Sequence, residues 1–99
     1  MNCSVAIGSY IGNGNTNRTI SFTGYDVQAI LIENDYLGSR YSGSNTASRY
    51  GALVLKNHPV RNKSGSAVLQ IDNNESLEIA SSNFNISDTN YHYLIFYIP

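Results

Sequence analysis

One cysteine, two prolines, no tryptophan and a charged fraction of 13% deprive this 99-residue chain of several devices that small proteins commonly use. With Cys3 alone, no internal disulfide can close, so a bridge-stapled secreted scaffold is excluded and the fold must live on its core. The six cationic side chains, Arg18, Arg40, Arg49, Lys56, Arg61 and Lys63, are scattered singly in a chain of net charge −1. They form no stripe that could neutralise several phosphates, which argues against nucleic-acid binding. No apolar run approaches the roughly 20 residues that span a bilayer, so no membrane insertion is expected. Residues 1–10 lack the basic start and apolar segment of a signal peptide.

What the chain has instead is neutral polarity: 13 Asn, 18 Ser plus Thr, 8 Gly and 8 Tyr. Such a surface suits uncharged or weakly charged ligands. The length supports one domain over residues 1–99 and no second core. Five Asn-x-Ser/Thr triplets, at Asn2, Asn17, Asn62, Asn74 and Asn85, follow from this composition and are not read as glycosylation sites.

Helical periodicity is nearly absent, because Gly, Asn and Ser interrupt every candidate window. The pattern predicts an all-β chain, a small antiparallel β-sandwich of about six to eight strands. Strands are expected at 4–10, 18–23, 27–33, 50–56, 66–71, 76–80, 83–86 and 91–98. Val5 and Ile7, Ile20 and Phe22, and Leu77 and Ile79 alternate with smaller or polar residues, so these strands should bury one face and wet the other. By contrast, 27–32, 52–55 and 91–98 are apolar on both parities, as in strands covered on two sides. A two-layer sandwich leaves one of those sides open, which is a physical reason to expect self-association. The strand 91–98 is expected at a central place in its sheet, where pairing on both sides resists fraying.

Asn13-Gly14 carries the dipeptide preferred by type I′ hairpin turns, and Asp72-Asn-Asn-Glu75 supplies a second hairpin connection. The segment from Asn34 to Arg49 is long for a passive connection and is either an insertion or the place where ligand is met.

In order, Gly8-Ser-Tyr-Ile-Gly-Asn-Gly14, Thr19-Ile-Ser-Phe22, Gly24-Tyr-Asp-Val-Gln-Ala-Ile-Leu-Ile32 and Asn85-Ile-Ser-Asp-Thr-Asn-Tyr-His-Tyr93 resemble the small β-sandwich domains of phage tail fibres and related receptor-binding proteins. Tyr25 and Val27 stand where those domains carry phenylalanine and proline. The architecture is also similar to H-type lectins. The resemblance implies a homotrimeric attachment tip on a virion tail that recognises a cell-surface glycan, with no cofactor. The alternatives are a structural tail or baseplate connector that binds only protein, and a monomeric carbohydrate-binding module.

For a glycan, chemistry asks for an aromatic ring against the sugar's C–H face and planar polar groups that fix hydroxyl directions. Tyr36, Arg40, Tyr41, Asn45 and Tyr50 offer that set within 15 residues, and Asp88, Asn90 and His92 form a second candidate patch. The competing reading is that these tyrosines pin a loop to the sandwich. His58 and His92 are the only histidines and have no zinc spacing, so no metal is expected. Asp72-Asn-Asn-Glu75 lacks the ligand spacing of a calcium loop and reads as a turn. Most carboxylates fall beside turns and strand ends, and no enzyme activity is expected.

Overall fold

A computed structural model of the chain describes residues 2–34 and 51–99. Among the described residues, eight strands form in chain order: β1 (Ser4–Ile11), β2 (Arg18–Ser21), β3 (Asp26–Asn34), β4 (Gly51–Leu55), β5 (Val60–Arg61), β6 (Ala67–Asp72), β7 (Ser76–Ile79) and β8 (Asn90–Ile98). They make two antiparallel four-stranded sheets, ordered β1-β8-β3-β4 and β2-β7-β6-β5. The protein is thus the small antiparallel β-sandwich that its patterning predicts. The last strand is central, held by β1 on one side and β3 on the other.

Between the sheets lie Tyr10, Val27, Ile30, Ile32, Val54, Tyr91 and Ile95 from the first, and Leu69, Leu77 and Ile79 from the second, joined by Phe22 and Phe84. Both Val27 and Ile30 face inward because a bulge between Val27 and Ala29 inserts one residue and flips the parity of β3. The tyrosine parity of β8 also points inward. Tyr10 stacks on Tyr91 at 4.9 Å between centroids, Phe22 meets Tyr93 edge-on at 5.3 Å, and Tyr25 packs on Tyr97 at 4.2 Å.

These large rings decide which face of β1 is buried. Ala6, Gly8 and Tyr10 sit opposite Ile95, Tyr93 and Tyr91, and they face the core. A Cβ on Gly8 would lie 2.2 Å from the Tyr93 hydroxyl, so the missing side chain is the space that the tyrosine fills. Val5 and Ile7, the expected buried parity, are therefore turned outward into solvent. Volume complementarity with β8 overrides the hydrophobicity of β1 itself.

Two further expectations are corrected. Asn13-Gly14 does not close a hairpin: β1 pairs with β8 and β2 pairs with β7, so residues 12–17 cross from one sheet to the other. The other expected turn, Asp72–Glu75, does close a hairpin, between β6 and β7, where Asn73 and Asn74 adopt φ of 50° and 61° and Glu75 N–H donates to the Asp72 carbonyl at 3.1 Å. Residues 83–86 are not a strand. Ser82–Phe84 form a single 3-10 turn, capped by the Ser81 hydroxyl accepting from Asn83 N–H, and Phe84 plugs the core.

That turn is anchored by buried polar groups. The hydroxyls of Tyr10 and Tyr91 donate to the carbonyls of Phe84 and Asn83, each at 2.8 Å. Asn85, fully buried, accepts from Asn13 N–H and from Arg18 and donates to the carbonyl of Asn15. A core amide with its valences met in this way costs little to bury and ties the crossover loop to the 3-10 turn.

Candidate functional site

Tyr36, Arg40, Tyr41, Asn45 and Tyr50 lie outside the described residues. Of the second expected patch, Asp88 occupies an exposed left-handed position (φ 62°) in the turn before β8, its N–H donating to the Gly12 carbonyl. Asn90 and His92 follow on the outward parity of β8, opposite Ile11 and Ser9 of β1. They belong to one surface, the outer face of the β1-β8-β3-β4 sheet.

Register defines that surface row by row. Val5, Phe96, Ala29 and Leu55 are aligned across the four strands, and Ile7, Leu94, Leu31 and Leu53 form the next row. A third row, Ser9, His92, Glu33 and Gly51, is polar, and beyond it Ile11 stands opposite Asn90. Two apolar rows that run the full width of a sheet, bordered by one polar row, thus face away from the core.

The exposures are large. Val5, Ile7, Ile11, Leu31, Leu53 and Leu55 retain between 43 and 82% of their accessible surface, together a little more than three fully exposed aliphatic side chains. Covering them completely would contribute roughly 5–10 kcal/mol, at about 1.5–3 kcal/mol per side chain. Soluble monomers rarely leave contiguous apolar patches of such extent open. A shallow depression lined by Ile7, Leu31, Glu33, His92 and Leu94 marks the meeting of the apolar rows with the polar one.

The signal for this face was in the sequence as apolar residues on both parities of β3, β4 and β8. What the sequence missed was the contribution of β1, whose alternation reads as an ordinary half-buried strand.

A different surface lies at the opposite end of β8, where Asp26 pairs with Ile98. There the β2–β3 turn and the β6–β7 hairpin border an open cleft lined by Tyr25, Asp26, Asn73, Asn74 and Glu75. Asp26 receives a hydrogen bond from Gln28 at 3.0 Å and faces the Lys56 ammonium at 3.6 Å, and Glu75 accepts from Gly24 N–H at 3.4 Å. The cleft offers carboxylates, planar amides and one half-buried ring.

Among the described residues, no group of three or more His, Cys, Asp or Glu side chains is placed to hold a metal ion, and no helix is long and apolar enough to cross a membrane. Burial, reinforced by the neighbouring Tyr91 and partly opposed by Arg18, holds the Tyr10 phenol well above its ordinary pKa. Burial and the nearby Tyr25 raise Tyr93 as well. Both phenols belong to the aromatic core.

Comparisons with protein-family models, with characterised proteins and with solved structures find no match to this chain. The likeness to tail-fibre domains therefore rests on the residues quoted for it.

Proposed function

We propose that this chain is a non-catalytic binding domain that docks protein through the outer face of its β1-β8-β3-β4 sheet. The observation that carries the reading is the pair of aligned apolar rows, Val5-Phe96-Ala29-Leu55 and Ile7-Leu94-Leu31-Leu53, turned to solvent. Aliphatic side chains on a broad sheet match the buried core of a protein interface, which is depleted of charge. They offer a saccharide no hydroxyl-directing groups. This favours an assembly role, as in a connector within a larger particle, over chemistry.

The test is an apolar dye, 8-anilinonaphthalene-1-sulfonate, titrated into dilute folded protein. Wild type should bind it with enhanced fluorescence, and Ile7→Glu with Leu53→Glu should remove most of that signal while circular dichroism stays unchanged. A wild-type chain that is a monomer at that dilution and still dark, or a signal indifferent to both substitutions, would sink the reading.

A second reading, recognition of a cell-surface glycan, is supported by the cleft beside Tyr25, where carboxylates and amides converge next to a ring. Hydroxyl pairs are held by such groups and C–H faces by such rings. The two surfaces are separate, so both readings can hold in one attachment domain.

A further inference from the structure

We infer that the occupant of the outer sheet face is the same face of another copy of this chain. This rests on the docking reading above and goes further by naming the partner.

The chemistry of the face is self-complementary. Its two apolar rows carry no charge, so nothing in them repels an identical surface, and interdigitating aliphatic side chains are how two sheets pack about 10 Å apart inside a sandwich. The bordering row holds one acid and one imidazole directly opposite each other, Glu33 on β3 and His92 on β8. Acid and imidazole thus share one row, and the face carries no block of like charge to repel a copy. A partner selected by charge would call for a surface of one sign, and this face has none.

Size points the same way. Four strands at about 4.8 Å spacing are about 19 Å wide, and strands of 8 and 9 residues at about 3.4 Å per residue are about 27–30 Å long. The face thus projects roughly 500 Å² before the relief of its standing side chains is added. A stable interface needs about 800 Å² of accessible surface per partner. Nearly the whole face must then be engaged, as happens when it meets a surface of its own shape and extent.

The experiment is light scattering on wild type and on Ile7→Glu, Leu53→Glu and the double variant across a concentration series. Wild type should show a mass of two chains, each of 10.9 kDa, because a face that covers its own copy closes at two. Both residues are exposed in the single chain, so the double variant should keep its far-ultraviolet spectrum while its dissociation constant rises 100-fold or more. Should glutamate unfold the chain, threonine at the same positions, well suited to strands, should weaken association in the same direction.

Wild type with the mass of one chain at the highest soluble concentration would overturn the inference, as would an oligomer whose mass ignores the variants. The dye separates this failure from that of the docking reading. A monomer whose face lights the dye at every concentration loses self-association and keeps docking; one that neither associates nor binds dye loses both.

Discussion

Among single residues, the tyrosines connect core packing to the pH range in which the fold persists. Tyr10 stacks on Tyr91, lies 5.2 Å beneath the Arg18 guanidinium and donates its proton to the buried Phe84 carbonyl. Burial favours the neutral phenol, so its folded pKa is raised above the unfolded value near 10. Above that pH the unfolded chain releases a proton that the folded chain retains, and stability falls as pH rises until the folded pKa is reached. Each such tyrosine contributes at most about 1.4 kcal/mol per pH unit. Chemical denaturation between pH 8 and 11 should show this alkaline loss, and Tyr10→Phe should flatten it. The same variant should cost about 1–2 kcal/mol at neutral pH, because the Phe84 carbonyl loses its buried donor. An alkaline limb that is unchanged in the variant would show that the proton resides elsewhere.

At the level of elements, the β6–β7 hairpin shows how much a turn depends on residue type. Asn73 and Asn74 both hold left-handed backbone, which asparagine tolerates far better than most side chains. The hairpin also supports its neighbour, since the Asn74 carbonyl accepts from Val27 N–H at 2.8 Å, just before the bulge that sets the parity of β3. Asn74→Ala should therefore lower stability by about 1 kcal/mol, whereas Asn74→Gly should be near neutral, with urea midpoints as the readout. Equal midpoints for the two would show that the positive φ carries no cost. The sequence made this hairpin legible, but placed a second one at Asn13-Gly14. Gly14 does take φ of 83°, yet the chain there leaves one sheet for the other. A dipeptide encodes a local bend, whereas pairing is decided by which strands share a core.

For the whole molecule, the two surfaces lie at different places on the sandwich, the apolar face along four strands and the polar cleft at the end where β3 begins. An oligomer built through the face would present several clefts at once, and linked weak sites gain binding by orders of magnitude. If the cleft takes a saccharide, Asp26→Asn with Glu75→Gln should abolish retention on a surface printed with cell-surface glycans while leaving oligomer mass intact. Ile7→Glu with Leu53→Glu should instead leave each cleft competent and lower retention at least tenfold through lost avidity. Retention that survives the first pair of changes would place any glycan contact away from this cleft.

The sequence by itself determined the class: frequent Gly and Asn, no sustained helical period and short alternating runs leave an antiparallel sandwich as the consistent outcome. It also determined that three strands carry apolar residues on both sides, since parity is read directly from order. Only the tertiary structure decided which side is the core. Tyr93 turned inward over Gly8, whose missing side chain leaves it room, with Tyr91 stacked on Tyr10 on the same parity, and this set Val5 and Ile7 outside beside Leu94 and Leu31. Asn85 became a buried hub, although its sequence context reads as strand and turn, because Asn13, Asn15 and Arg18 arrive from about 70 residues away to satisfy it. The physical reason is common to both cases. Side-chain volume and hydrogen-bond satisfaction are settled between segments distant in the chain, whereas alternation and turn preference are local.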